Sequence, residues 1–145
     1  MAGAEERSTL FTTLAERLLA GEAGDHPERR AHLLRLLGEL LPAVSREVRS
    51  ALVADLLALP DPPRDLALLM ARDEPSISGP LLREGVFSTR ELCELVMRTS
   101  PAHHLEIARR ADLTLDVWLA LARAATRRAA GERAASAMKK RDAPP

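Results

Sequence analysis

Prolines and glycines divide this leucine- and alanine-rich chain into short segments, and within each segment the leucines recur at three- and four-residue steps. Leu52, Leu56 and Leu59 show this spacing, which places apolar side chains on a single face of a helix. An apolar face on so short a helix is too small to form a core alone, so the segments must pack on one another. Aromatic residues, which sheets favour, make up only 2% of the chain. The sequence therefore predicts an all-α protein.

The breaks between the segments predict about eight helices in one domain that covers residues 1–138. An N-terminal helix comes first, three helix pairs follow, and a C-terminal helix ends the domain. Residues 139–145 are expected to form a disordered tail of basic residues and prolines. The predicted segments are 9–20 for the first helix, 27–58, 63–84 and 88–110 for the pairs, and 114 onward for the last helix.

Two helix starts carry the spacing of a capping box, in which a short polar side chain and a glutamate three residues later bond each other's backbone. Ser88 with Glu91 is one of them, and Asp25 with Glu28 is the other. Pro80 falls inside a predicted helix, so it is expected to kink that helix or to delay its start.

Internal repetition makes the predicted architecture more specific. A shift of 26 positions aligns the apolar Leu92 with Trp118 and the helix cap Ser88 with Thr114. Core positions, cap positions and loop lengths repeat together, which chance pairing of leucines does not explain. We therefore expect a short HEAT-like α-solenoid of antiparallel helix pairs, with Leu92 and Trp118 both in its core.

The charge of the chain is balanced, with 21 basic and 21 acidic residues. This balance differs from that of a dedicated nucleic-acid binder, although nucleic acid stays open as a partner. The single cysteine, Cys93, excludes an internal disulfide. No segment approaches the roughly 20 apolar residues that a membrane span requires. A cytoplasmic protein with no membrane span is the expectation.

Three stretches of the sequence resemble a known family. They are PPRDLALLMARDEP at 62–75, GPLLRE at 79–84 and SPAHHLEIARRADLT at 100–114. These stretches are similar to the signature of the domain-of-unknown-function family 2336, a bacterial and mainly alphaproteobacterial family of HEAT-like helical repeats. The resemblance implies a helical-repeat fold and a bacterial setting, and it brings no activity, cofactor or catalytic residue.

Residues on the second helices of the pairs are the candidates for binding a partner. Arg83 and Arg109 occupy equivalent repeat positions, and His104 and Arg110 lie close to Arg109 in the sequence. They could form a binding stripe for an unidentified protein, or equally a solvated face or a set of ion pairs between repeats. His103 and His104 are adjacent on a helix and cannot jointly hold a metal, so both are expected at a helix start or on the surface.

The C-terminal region is the second candidate surface. From Arg123 onward there are seven basic and two acidic residues, and Arg123, Arg127 and Arg128 follow helical spacing. This basic patch could contact nucleic acid or an anionic surface, or it could be a solvated, frayed terminus.

No nucleotide loop, nucleophile elbow, metal motif or cofactor motif is present in the sequence. The favoured hypothesis is a non-catalytic protein-interaction or scaffold module, with no cofactor and an unidentified protein partner. The first alternative is a binder of nucleic acid or of an anionic surface through the basic C-terminal helix. The second alternative is a glycosylase- or hydrolase-like enzyme.

Overall fold

The computed structural model describes residues 2–141. This part of the chain contains eight α-helices, one short 3-10 helix and no strand, so the predicted all-α class is confirmed. The helices are α1 (Ala2–Leu19), α2 (Pro27–Leu40), α3 (Arg46–Ala58), α4 (Arg64–Ala71), α5 (Pro75–Glu84), α6 (Thr89–Arg98), α7 (Pro101–Ala108) and α8 (Leu115–Arg141), and the 3-10 helix is Leu41–Ala43.

The helices pack in two rows. In the first row α2 contacts α4, α4 contacts α6 and α6 contacts α8, and in the second row α1, α3, α5 and α7 contact one another in the same order. Contacts such as α1 with α2 and α4 with α5 join the rows. Buried apolar side chains from all eight helices form one core. Each helix thus buries a narrow apolar stripe against several neighbours, as the short amphipathic segments require.

Serine side chains begin several of the helices, and one predicted capping box is present. The Ser88 hydroxyl accepts the Glu91 amide at 3.1 Å, and the Glu91 carboxylate accepts the Ser88 amide at 2.8 Å. The predicted box at Asp25 is wrong, because the N-cap of α2 is His26 and no side chain caps it. The preceding turn explains the shift: Ala23 has a φ of 63°, and its carbonyl accepts the His26 amide at 3.0 Å.

The end of α5 depends on a residue with no side chain. α5 runs without interruption through Pro80 and reaches Gly85 as its C-cap, so the start of the helix is not delayed. The φ of Gly85 is −65°, which any residue can adopt. A Cβ at this position would nevertheless collide with the carbonyl oxygen of Leu81 and approach the Phe87 ring to 2.9 Å. Glycine is required here by close packing rather than by its backbone angle.

The last helix differs from the prediction in two respects. Trp118 was expected in the core, but 49% of it is exposed, whereas Val117 beside it is fully buried. Neighbouring residues on a helix point about 100° apart, so the rotation that buries Val117 turns Trp118 outward. α8 also continues to Arg141, beyond the predicted domain end at residue 138. Residues 142–145 of the predicted tail lie outside the described residues.

A candidate protein-interaction groove

Two of the predicted partner-binding residues meet at one carboxylate. Arg83 on α5 and Arg109 at the end of α7 both pair with Glu106 of α7, Arg109 at 3.6 Å. The side chain of Glu106 is only 18% exposed, and that of Arg109 is 66% exposed. Arg83 therefore forms an ion pair that joins α5 to α7, which was one of the alternatives that the sequence left open. Arg109 stays largely in solvent.

Arg110 does not lie on the surface, contrary to its place in the predicted binding stripe. Its side chain is 4% exposed. The guanidinium donates to the carbonyls of Leu82 and Gly85, both at 2.8 Å, and to the Asp112 carboxylate at 2.9 and 3.0 Å. These bonds satisfy carbonyls at the end of α5 that the helix itself leaves unpaired. The same guanidinium lowers the pKa of Asp112 through its hydrogen bonds.

The two histidines predicted at a helix start or on the surface lie in the first turn of α7, and both are buried. His104 donates from Nε2 to the Val96 carbonyl at 2.7 Å, and its Nδ1 accepts the Arg128 guanidinium at 3.1 Å. His103 donates to the Asp73 carbonyl at 2.7 Å. Burial lowers the pKa of His104, which favours the neutral ring that these bonds require. His104 is thus a structural link between α6, α7 and α8 rather than a free ligand for a partner.

Most of the other partly buried arginines join successive helices of a row. Asp73, just before α5, accepts a hydrogen bond from Arg49 of α3 at 2.8 Å, whereas Arg72 beside it is exposed and takes no part. Hydrogen bonds from Arg30 lower the pKa of Asp65. The inter-helix pairs are Arg30 with Asp65, Arg49 with Asp73, Arg64 with Glu91 and Arg83 with Glu106. These residues are committed to the fold.

A groove across α2, α4 and α6 contains arginines that the fold does not use. It has a volume of 440 Å³, and its apolar lining comes from Ala31, Leu34, Leu68, Leu69 and Leu95. Arg35 from the middle of α2, Arg72 from the end of α4 and Arg98 from the end of α6 also line it, and all three are exposed. Within residues 2–141 none of the three forms an ion pair, unlike the arginines of the inter-helix pairs. We call this surface the arginine groove.

The arginine groove keeps an excess of positive charge, because its three arginines outnumber its two acidic residues, Asp65 and Glu94. Asp65 is held by Arg30 through two hydrogen bonds at 2.5 and 2.9 Å. Glu94 lies 3.7 Å from Arg90 on the same helix. The groove therefore offers an apolar floor and guanidinium groups that are free to bind carboxylates.

Sequence reasoning missed the arginine groove although part of its signal was present. Arg72 and Arg98 are 26 positions apart, the same step that aligned Leu92 with Trp118. Arg35 lies outside that step, although the predicted helix pairs give its helix the same place as the other two, as the first helix of a pair.

The predicted basic patch is divided by the structure. Arg123 and Arg127 are exposed on α8, whereas Arg128 turns toward His104.

Burial raises the pKa of the free Cys93 thiol, with a further contribution from Asp116. In the described part of the chain no three histidine, cysteine or acidic side chains gather to hold a metal ion. None of its helices is long and apolar enough to cross a membrane.

The chain was compared with protein-family models, with curated proteins and with solved structures, and nothing matched.

Proposed function

We propose that this protein is a non-catalytic interaction module that binds an acidic, amphipathic segment of a partner protein in the arginine groove. The observation that carries the proposal is the groove itself: an apolar floor between three helices, lined by Arg35, Arg72 and Arg98, which have no ion pair in residues 2–141. The predicted stripe of Arg83, His104, Arg109 and Arg110 is replaced as the candidate surface because its members are largely committed to internal bonds.

The pattern of contacts between the helices supports a HEAT-like solenoid as the scaffold of this groove. Within each row, a helix contacts the next helix but one along the chain. Contacts between helices that are consecutive in the chain join the two rows. Antiparallel helix pairs that stack in the order of the chain produce this pattern of contacts. The groove crosses three successive helices of one row, as an extended binding surface on a repeat protein does. We also propose that the chain is a bacterial member of the domain-of-unknown-function family 2336 and that it is located in the cytoplasm.

The composition of the arginine groove indicates which interaction supplies affinity and which supplies selectivity. Apolar side chains of a bound segment would be removed from water against the leucine floor, at roughly 25 cal/mol per Å². An ion pair at an exposed arginine contributes only about 0–1 kcal/mol. The leucines therefore provide most of the binding energy, and the arginines select acidic segments and steer them into the groove. A helix with apolar residues at positions i, i+3, i+4 and i+7 and acidic flanks matches this surface.

Fluorescence anisotropy with two synthetic helical peptides tests the proposal. Both peptides carry leucines at i, i+3, i+4 and i+7, and one has glutamate flanks where the other has lysine flanks. We expect the glutamate peptide to bind more tightly, and the double variant Arg72→Glu, Arg98→Glu to weaken it by about tenfold or more, or about 1.4 kcal/mol. Arg29→Glu is the matched control, since Arg29 is exposed on α2 but does not line the groove.

Two results would count against the arginine groove. Equal binding of the glutamate and lysine peptides would remove the role of the arginines in selection. A loss of affinity in the Arg29 variant as large as that in the double variant would show that overall charge, rather than this groove, attracts the peptide.

The basic surface of α8 supports one second candidate function, the binding of nucleic acid or another anionic surface. Arg123 and Arg127 are exposed, and residues 130–141 of the same helix are exposed throughout. A gel shift at low and at moderate salt tests this alternative, because phosphate contacts weaken steeply with salt. Absence of a shift at low salt would eliminate it.

A further inference from the structure

A second groove lies between α1 and α3, in the other row of helices. It has a volume of about 270 Å³. Phe11 and Leu52 form its buried floor, and Leu19, Val48 and Ala51 add apolar atoms along its sides. A groove of this kind can remove the apolar side of a bound helix from water.

Three exposed carboxylates surround this apolar floor. Glu16 stands on α1, and Glu47 and Asp55 stand on α3. Among residues 2–141, no basic side chain lines the groove and none of the three carboxylates forms an ion pair. The arginines of α3, Arg46 and Arg49, pair instead with acidic residues just before α5. We call this surface the acidic groove, and a basic helix with one apolar side matches both its floor and its charge.

The second half of α8 is a basic helix with one apolar side. Residues 130–141 are exposed throughout, so the rest of the chain covers none of them. At about 100° per residue, one side carries the small apolar residues Ala130, Ala134 and Ala137. We call this side of residues 130–141 the tail face. An alanine-rich helix of this length is marginal in water on its own, so it gains stability when it packs against an apolar surface.

Basic residues border the tail face, and their spacing matches that of the acidic groove. Arg133 and Lys140 lie along one edge, seven residues or about 10 Å apart on the helix axis. Glu47 and Asp55 are eight residues, or about 12 Å, apart on α3. Glu132, the only acidic residue in this half of α8, points to the opposite side of the helix. The tail face therefore presents cations at the spacing at which the groove presents carboxylates.

We propose that the tail face of one copy of this chain docks in the acidic groove of a second copy. The tail face does not lie in the groove of its own copy, because it is exposed and α8 packs on α6 and α7, several helices along from α1 and α3. The contact joins two different surfaces, so each copy offers its tail face to one neighbour and its acidic groove to another. The product is a head-to-tail assembly. This proposal does not rest on the arginine groove, which lies on the other row.

Sedimentation equilibrium of the full chain tests the proposal. We expect the mass to rise from 15.8 kDa past twice that value as concentration increases, and salt to weaken the association. Ala51→Arg should weaken it by about tenfold or more, because a long cationic side chain enters the acidic groove. Ser50→Arg is the matched control, since Ser50 is exposed beside Ala51 but does not line the groove. The Ser50 variant should associate as the wild type does.

A mixture of two variants identifies the surfaces that meet. Ala51→Arg blocks the groove but keeps the tail face, whereas Arg133→Gln with Lys140→Gln weakens the tail face but keeps the groove. Each variant alone should stay near 15.8 kDa where the wild type assembles, and an equimolar mixture should form pairs of twice that mass and grow no further. Lys139→Gln removes a charge from the opposite side of the helix, so it should leave the association unchanged.

Four outcomes would overturn the proposal. The first is a wild-type mass of 15.8 kDa at all concentrations. The second is equal association by the Ala51 and Ser50 variants, and the third is a mixture no heavier than its separate components. The fourth is a monomeric chain that binds the lysine-flanked peptide and loses that binding in Ala51→Arg, which would assign the acidic groove to a basic segment of a partner protein.

The two grooves are tested separately. A lysine-flanked peptide fits the acidic groove, so the peptide comparison for the arginine groove is made on the Ala51→Arg protein, in which the acidic groove is blocked. Failure of the glutamate peptide to bind that protein more tightly counts against the arginine groove alone.

Discussion

Replacing Arg110 by alanine would remove the one guanidinium that holds the end of α5. The side chain donates to the Leu82 and Gly85 carbonyls at 2.8 Å each, and it is 4% exposed. Without it, two buried carbonyls lose their partner, at roughly 1–3 kcal/mol for each unsatisfied group. Its place beside the Phe87 ring, 5.9 Å from the centroid, is lost as well. Because water enters part of the vacated space, we expect a total destabilisation of about 3–4 kcal/mol.

Arg109→Ala is the matched control, since it is the same substitution one residue earlier. The Arg109 side chain is 66% exposed and lies 3.6 Å from Glu106, so its removal should cost about 0–1 kcal/mol. Arg110→Lys keeps the charge but not the forked donor geometry, and it should fall between the two alanine variants.

Urea unfolding followed by far-UV circular dichroism measures these differences. With a urea m-value of about 2 kcal/mol per M, a loss of about 3 kcal/mol lowers the midpoint by about 1.5 M. The Arg109 variant should stay within about 0.5 M of the wild type. Midpoints of the Arg110 and Arg109 alanine variants that agree within error would refute the structural role assigned to Arg110.

Three further predictions concern the core, a tight turn and a buried histidine. Leu82→Ala should cost about 2–5 kcal/mol in urea unfolding, because Leu82 is fully buried, and wild-type stability would show that its packing is misplaced. Gly85→Ala should also lower the midpoint, because its new Cβ meets the Leu81 carbonyl oxygen; an unchanged midpoint would contradict this. The lowered pKa of His104 means that the unfolded chain binds its proton more readily, so stability should fall as pH drops below about 6.5 toward the lower folded-state pKa. His104→Gln should lack this loss, and an equally steep loss in that variant would assign the effect to other groups.

The sequence predicted well the features that depend on neighbours along the chain. The capping box of Ser88 and Glu91 joins residues three positions apart, so both hydrogen bonds follow from the local spacing. The breaks at proline and glycine likewise located helices such as α5 correctly. Where a local prediction was wrong, as at Asp25, a turn with a positive φ at Ala23 moved the cap by one residue.

The candidate site was less predictable, because it depends on which helices lie side by side. Arg35, Arg72 and Arg98 come from three separate helices, and only the packing of α2, α4 and α6 brings them to one groove. The 26-residue step relates two of these arginines, but a step in sequence does not tell whether a side chain meets a carboxylate or solvent.

The all-α class, most helix limits and the need for short apolar stripes to pack together could all be predicted from the order of residues alone. These follow from helix propensity, capping and a 3.6-residue period, all of which act over a few neighbouring residues. The burial of Arg110 beside an exposed Arg109, and the exposure of Trp118 beside a buried Val117, appear only in the folded structure. Adjacent residues differ there because burial depends on how each helix is rotated against its neighbours, and that rotation is set by long-range packing rather than by local spacing.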